Sequence, residues 1–261
     1  AQLTFDVDGV APSAEAANTE YLDTDSDAQV DEVHLDFNED ISASTLEAGD
    51  FSFNDGQASD LSIDSVQANG DEVEISVTGP AGDTDLGNLD VDYTASAGTA
   101  DSIVDAAGNP AGDVTDQDVT DGAGPVILSF RRTSSTAAEI VFSEGVSADD
   151  SDNDLETGDL TYTNGNGAGA NTPLTSITHT AGDSTATVSP TGSITSGDIS
   201  ADTITAGAVI DDAVDNSPGS TSPVTLETGS LAGDSNGEIS TATGSADSQN
   251  LRAGSSGQAL D

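Results

Sequence analysis

Residues 33–41 read Val-His-Leu-Asp-Phe-Asn-Glu-Asp-Ile. The apolar side chains of Val33, Leu35 and Phe37 alternate with polar ones, which places them on one face of an extended chain. Alternation with a period of two is typical of a β-strand that buries one face, and the polar residues from Asn38 onward mark its end. The stretch therefore predicts a half-buried strand followed by a turn.

Similar short segments recur along the chain, and stretches with a helical period are hard to find. Asn-Gly, Asp-Gly and Gly-Asn pairs, which favour turns, lie between them. Many short strands separated by turn residues indicate an all-β fold of the sandwich type. The predicted strands after the first are 51–53, 61–66, 73–77, 89–93, 126–130, 138–142, 160–163, 174–179 and 185–188.

The pattern of residues 33–41 occurs a second time. Residues 139–146 read Glu-Ile-Val-Phe-Ser-Glu-Gly-Val, and each copy is followed by a Leu-Glu-Xaa-Gly-Asp sequence, at 46–50 and at 155–159. Two tandem β-sandwiches explain such a repeat. A further correspondence, near the end of each copy, joins residues 103–110 to residues 209–216.

The repeat divides the chain into four predicted parts. They are an N-terminal strand with its linker at 1–12, a first sandwich at 13–125, a second at 126–229 and a C-terminal extension at 230–261.

The repeated motifs resemble the bacterial and archaeal Ig-like repeats of surface-layer proteins and large adhesins. The resemblance covers residues 30–125 well and 126–229 more loosely, and it does not reach 230–261. It implies two tandem Ig-like β-sandwiches used as spacer, adhesive or lattice modules, and no particular ligand. The motifs that carry it are Phe-Asn-Glu at 37–39, Phe-Ser-Glu at 142–144, Val-Asp-Tyr-Thr at 91–94 and Asp-Ala-Ala-Gly-Asn at 105–109.

The N-terminal strand is out of place in this scheme. An Asp-Gly-Xaa-Xaa-Pro sequence occurs at 8–12 and again at 121–125, and the residues before the second copy are predicted as the last strand of the first sandwich. By the same register, Leu3, Phe5 and Val7 belong to the last strand of another sandwich. Either this strand adds to an edge of its own chain, or it completes the sandwich of a neighbouring subunit. The second alternative would build filaments, because donation from head to tail does not close.

The charge of the chain is extreme. It has 49 acidic residues and 3 basic ones, which gives a formal net charge of −46. Such a chain repels itself at ordinary ionic strength, whereas molar salt shortens the screening length to about 3 Å. The balance indicates a halophile. Intrinsic disorder is the alternative for so acidic a chain, and the segmental alternation argues against it.

The same charge limits the partners that the chain can bind. Phosphate backbones and anionic lipid surfaces would be repelled, so we expect no nucleic-acid partner and no binding to a membrane surface. The sequence has no apolar run of about 18 residues, which predicts no membrane span. Cysteine is absent, so disulfides and thiol chemistry are excluded. Calcium is the cofactor that carboxylate oxygens would favour.

Two Asp-Xaa-Asp-Xaa-Asp runs are candidate calcium loops. Alternate carboxylates resemble the opening of an EF-hand loop, but the glycine and the final glutamate of that motif are missing from both. Aspartate is so frequent here that about one such run is expected by chance, so a solvated halophilic surface is the alternative. The candidate ligands are Asp23, Asp25 and Asp27 in the first run and Asp150, Asp152 and Asp154 in the second.

A second metal candidate lies near the predicted domain boundary. Asp105, Asn109 and Asp121 belong to turns that are expected to meet at one pole of the first sandwich. Calcium at this place would neutralise like charges between the tandem domains.

The sequence gives no support for catalysis. Residues 233–237 match the Gly-Xaa-Ser-Xaa-Gly pattern of a nucleophile elbow, which requires a strand-to-helix turn and a later histidine. Both histidines, His34 and His179, precede Ser235. His34 is expected on the exposed face of its strand. Aromatic residues, which sugar-binding sites need, make up only 3% of the chain. We therefore predict that the protein is not an enzyme.

The function expected from these patterns is structural. We predict a subunit of an extracellular filament or cell-surface layer of a halophile, a homo-polymer assembled through head-to-tail contacts. One alternative is a spacer or calcium-dependent adhesion module of a larger surface adhesin. A halophilic virus surface protein and an accessory domain of a secreted hydrolase are further alternatives.

Overall fold

The computed structural model describes residues 9–42, 46–95, 102–148, 153–167 and 173–229. The regular secondary structure of the described chain is almost entirely β, with two single-turn 3-10 helices at Ala48–Asp50 and Ala58–Asp60. The first nine strands are β1 Ala14–Leu22, β2 Glu32–Phe37, β3 Ile41–Ser42, β4 Phe51–Asp55, β5 Ser62–Asn69, β6 Glu72–Thr78, β7 Leu89–Tyr93, β8 Val104–Asp105 and β9 Val114–Asp121. The other nine are β10 Ile127–Arg132, β11 Ala138–Phe142, β12 Ser147–Ala148, β13 Leu160–Thr163, β14 Leu174–Thr178, β15 Thr185–Pro190, β16 Thr203–Ala206, β17 Ile210–Asp211 and β18 Val224–Thr228.

The described residues form two compact units. Unit 1 consists of those within Ala1–Val126 and Asp211–Ser220, and unit 2 of those within Ile127–Ile210 and Thr221–Asp261. The two predicted sandwiches are continuous in sequence, whereas segment 211–220 groups with unit 1. The sandwich bounds at 13–125 and 126–229 remain predictions.

Unit 1 has the strand order β4-β7-β9-β1-β2-β6-β5. Strand β9 connects its two halves, because it pairs antiparallel with β7 and, at Thr120 and Asp121, parallel with β1. The short strands β3 and β8 pair separately. This arrangement wraps the strands around one hydrophobic core.

The alternation in the sequence accounts for the core of unit 1. Val33, Leu35 and Phe37 of β2 are buried, and Val33 and Leu35 lie opposite Ile75 and Val73 of β6. The aromatic rings of Phe51 and Tyr93 add a contact with centroids 5.2 Å apart. The predicted half-buried strand at residues 33–37 is therefore confirmed.

Unit 2 repeats the topology of unit 1. Its strand order is β13-β16-β18-β10-β11-β15-β14, and β18 runs parallel to β10 as β9 runs parallel to β1. Its own core contains Phe130 and Tyr162, whose rings meet edge to face at 6.0 Å. The predicted all-β, sandwich-type fold class is confirmed by these two multistranded sheets.

The sequence patterns did not predict every strand. Strand β1 has the sequence Ala-Glu-Ala-Ala-Asn-Thr-Glu-Tyr-Leu, in which four consecutive residues are exposed and the pairing with β2 shifts register between Glu15 and Glu20. Such a strand has almost no alternation for a pattern to detect. Strands β16 and β18 were also not predicted.

Two predicted segments lie outside the described residues. They are the N-terminal strand with Leu3, Phe5 and Val7, and the C-terminal extension at 230–261. In the described part of the chain, no helix has the length and apolar character needed to cross a bilayer.

Candidate functional site

The first Asp-Xaa-Asp-Xaa-Asp run forms a compact acidic loop between β1 and β2. One carboxylate oxygen from each of Asp23, Asp25 and Asp27 lies within 4.8 Å of the other two. Ser26 and Ala28 have positive φ angles of 62° and 69°, a conformation that turns the chain sharply. The loop thus gathers three carboxylates that an extended strand would have spread apart.

Asp23 organises this acidic loop. Its carboxylate accepts hydrogen bonds from the backbone N–H of Ala28 at 2.9 Å and of Asp27 at 3.2 Å. Asp23 is half-buried and the other two aspartates are exposed. Burial raises the pKa of Asp23, while the backbone N–H donors act in the opposite direction.

The donor set of the acidic loop fits a hard cation. Carboxylate oxygens are the ligands that calcium prefers. Two unit charges about 5 Å apart repel by about 1 kcal/mol in water, and a bound divalent ion would remove that repulsion. Both Asp23 oxygens already accept one backbone hydrogen bond, so each offers only its second lone pair.

The second run is described only in part. Asp150 and Asp152 lie outside the described residues. Asp154 accepts a hydrogen bond from the backbone N–H of Ala181 at 2.8 Å, beside Asn153 with its positive φ of 61°.

Asp105 and Asn109 form a closed turn. One oxygen of Asp105 accepts hydrogen bonds from the backbone N–H of Ala107 and of Asn109, both at 2.8 Å. The other oxygen accepts from the Asn109 amide at 2.6 Å. Although burial acts to raise the pKa of Asp105, the donors of Asn109 and Ala107 outweigh it and hold that pKa below its usual value.

The same Asp–Asn turn occurs a second time at Asp212 and Asn216. Asp212 accepts from the backbone N–H of Val214 at 2.8 Å and of Asn216 at 2.9 Å, and from the Asn216 amide at 2.8 Å. The repeat therefore matches Asp105 to Asp212, an offset of 107 (212 − 105). The sequence comparison of 103–110 with 209–216 was wrong by one residue, because it paired Asp105 with Asp211.

Each Asp–Asn turn also holds an Asp-Gly-Xaa-Xaa-Pro stretch. The Asn109 amide donates to the carbonyl oxygen of Val10 at 3.0 Å. The Asn216 amide donates to the carbonyl oxygen of Asp121 at 3.0 Å. These contacts span 99 and 95 residues of sequence, so they tie distant parts of the chain together.

Asp121 contacts residues that the sequence did not group with it. It accepts hydrogen bonds from the Ala123 N–H at 2.9 Å and from the Tyr21 hydroxyl, and it faces Asp212. The metal site that the sequence assigns to Asp121 with Asp105 and Asn109 stays a prediction. Burial, reinforced by the charge of Asp212, raises the pKa of Asp121 to about 7.

This carboxyl group is expected to make the stability of unit 1 depend on pH. Because its folded-state pKa is raised, Asp121 stabilises the fold below about pH 4 and loses that contribution as pH rises through about 7. After allowance for its partial exposure, we expect Asp121→Asn to be about 1–2 kcal/mol more stable than the wild type at pH 8 and equal to it at pH 4. Urea unfolding in molar salt across this range measures the difference. Asp60→Asn, at an exposed site, is the control, and parallel pH profiles for wild type and Asp121→Asn would contradict the expectation.

His34 is less exposed than the sequence indicated. Its side chain is 17% exposed and lies between Glu32, at 3.3 Å, and Glu72, at 3.2 Å. Glu72 approaches from the neighbouring strand β6, a contact that the pattern of β2 alone does not contain.

No family model and no curated protein matches this chain. Among solved structures, the chain is similar to FdeC, an adhesin of Escherichia coli, with 12% identity over 84% of this chain and 66% of that chain and a TM-score of 0.22. A TM-score of this size does not define a common fold, so the fold assignment rests on the sheets and cores described above.

Proposed function

We propose that the protein is a non-enzymatic structural subunit of an extracellular filament or cell-surface layer of a halophile, assembled head to tail from copies of itself. The observation that carries the proposal is structural repetition. The same order of seven strands occurs twice, each time around its own core, and the same Asp–Asn turn accompanies each copy. Repeated modules that fold around separate cores are suited to spacing and lattice building.

The charge supports a saline setting. Against 49 acidic residues the chain has only three arginines, and the described part contains one Arg–carboxylate pair, Arg131 with Glu227 at 3.5 Å. Such a surface is tolerable where molar salt screens it.

Removal of residues 1–8 is expected to abolish filament formation. Leu3, Phe5 and Val7 would supply the apolar face of a strand donated to the next subunit, with main-chain hydrogen bonds forming the link. Electron microscopy in molar salt with calcium compares the full chain with the truncated one. As a matched control, Thr4→Ser and Asp6→Asn change the alternate face of the same strand and are expected to leave filaments intact.

A truncated chain that still forms filaments would rule out strand donation by residues 1–8. Monomers in both samples would remove the filament proposal. The rival function, a spacer or calcium-dependent adhesion module of a larger surface adhesin, would then account better for the repeated sandwiches.

Calcium is proposed as a ligand of the acidic loop. We expect calcium to raise the thermal midpoint of the wild type by several degrees and to have no effect on the triple variant Asp23→Asn, Asp25→Asn, Asp27→Asn. Asp60→Asn provides the matched exposed control. Calorimetry with calcium or with chelator measures the shift, and an equal response from wild type and triple variant would place any bound calcium elsewhere.

A further inference from the structure

The two Asp-Gly-Xaa-Xaa-Pro stretches are held alike but buried differently. Val10 and Ala123 occupy the same position in them, and their carbonyl oxygens lie 3.0 Å from the Asn109 amide and 3.5 Å from the Asn216 amide. Ala123 is 1% exposed and belongs to the core of unit 1, whereas Val10 is 62% exposed. The stretch that contains Ala123 is therefore buried, whereas the stretch that contains Val10 is exposed.

Segment 211–220 packs closely against the stretch at 121–125. A methyl group at Gly124 would lie 1.9 Å from the carbonyl oxygen of Ser217, so segment 211–220 lies directly on the stretch. A methyl group at Gly9 would meet nothing within 4 Å, whereas one at Gly122, the same position of the covered stretch, would lie 2.8 Å from side-chain atoms of Glu20 and Leu22. Gly9, Val10 and Ala11 are all exposed. We define these three residues, together with the turn at Asn109, as the Val10 face.

Unit 2 contains a strand end like the one from which the covered stretch emerges. Thr228 pairs with Arg132 in the parallel contact of β18 with β10, as Asp121 pairs with Tyr21 in unit 1. At Gly229, the residue after β18, a methyl group would lie 1.7 Å from the Arg132 carbonyl oxygen, so the chain runs close to the end of β10. The end of β18 in unit 2 thus matches the end of β9 in unit 1, where the covered stretch at 121–125 begins.

This strand end carries most of the positive charge of the protein. Arg131 and Arg132 are two of only three cationic residues in the chain. The Arg131 side chain is 53% exposed, and its partner Glu227 is 61% exposed, so this ion pair contributes little by itself. Arg132 donates to the carbonyl oxygen of Ser134 at 3.0 Å. We call Arg131 and Arg132 of β10, together with Glu227 and Thr228 opposite them in β18, the arginine end.

The Val10 face is bordered by acidic residues. Asn38 accepts a hydrogen bond from the backbone N–H of Ser13 at 2.9 Å, next to the Asp-Gly-Xaa-Xaa-Pro stretch, and Glu39 and Asp40 follow in the same loop. A surface with acidic residues beside it is complementary in charge to a strand end with two arginines.

We propose that the Val10 face of one copy docks on the arginine end of a second copy. The inference rests on the proposed head-to-tail assembly and names its contact surfaces. Because the two surfaces differ, each docked copy leaves one of each free, and such heterologous contacts continue into open chains. Charge complementarity would set the orientation, since few other positive groups are present.

Cross-linking tests this contact directly, because the chain has no cysteine of its own. Ser135 is exposed in the loop after β10, three residues beyond Arg132. Val10→Cys and Ser135→Cys molecules, mixed in molar salt under mild oxidation, are expected to form a mixed disulfide dimer as the main product. Val10→Cys mixed with Val209→Cys is the matched control, since Val209 is also an exposed valine. Equal yields in both mixtures would overturn the proposal. A cross-link that appears only after removal of residues 231–261 would mean that the tail occupies the arginine end, and would overturn it too.

Charge reversal gives a second, independent readout. The pair Arg131→Glu and Arg132→Glu is expected to raise the critical concentration for assembly at least about tenfold, as is Val10→Glu. Arg252→Glu and Val209→Glu are controls that should assemble as the wild type does in sedimentation experiments. If the two test variants assemble normally, the proposed contact is refuted and the proposed filament formation is not affected. A wild type that stays monomeric removes the proposed function as well.

Discussion

Transfer of the protein from molar salt to about 0.1 M salt is expected to unfold both units. The screening length rises from about 3 Å to about 10 Å, so repulsion within a chain of net charge −46 is no longer confined to adjacent groups. The near-ultraviolet circular dichroism of the three buried tyrosines, Tyr21, Tyr93 and Tyr162, would report the loss of packing.

A specific repulsion within unit 1 makes this prediction testable by substitution. Asp90 of β7 and Asp118 of β9 stand directly opposite each other in the sheet, and like charges in that position destabilise strand pairing. Burial and then the charge of Asp118 raise the pKa of Asp90. Asp118→Asn should therefore move the unfolding midpoint of unit 1 to lower salt. Asp60→Asn is the control, and a fold retained in 0.1 M salt by the wild type would refute the salt requirement.

Replacement of Asp202 by alanine is expected to destabilise unit 2 by about 3 kcal/mol. Asp202 is fully buried, and its carboxylate accepts a hydrogen bond from the Tyr162 hydroxyl and one from the Gly165 N–H at 2.9 Å. The alanine variant leaves the buried Tyr162 hydroxyl without this acceptor. Burial, together with Asp202, raises the pKa of Tyr162, so the hydroxyl keeps its proton over the ordinary pH range.

Two further variants separate the contributions to this contact. Tyr162→Phe removes one donor and leaves Asp202 with the Gly165 N–H, so a smaller loss of about 1–2 kcal/mol is expected. Asp183→Asn changes an exposed carboxylate of the same unit and should be neutral. Urea unfolding in molar salt measures all three, and an Asp202→Ala protein as stable as the wild type would contradict the assigned role.

Much of the fold could be predicted because one face of each central strand is buried. The alternation of Val33, Leu35 and Phe37 is visible in the sequence, and so is its counterpart in β6. Strand β1 could not be predicted, because its position is set by partners on both sides and only part of its length enters the core. The acidic loop was predicted from the spacing of its aspartates, but the backbone turn at Ser26 that gathers them was not.

The all-β class, the repetition of the strands and the charge of the surface can be predicted from the sequence, because they depend on residue type and spacing along the chain. The contacts of Asn109 with Val10 and of Asp121 with Tyr21 and Asp212 arise only when the chain has folded. Those residues are separated by about a hundred positions, and no local preference brings them together. Packing of the strands around each core sets the distance between them, and with it the hydrogen bonds of Asn109 and the raised pKa of Asp121.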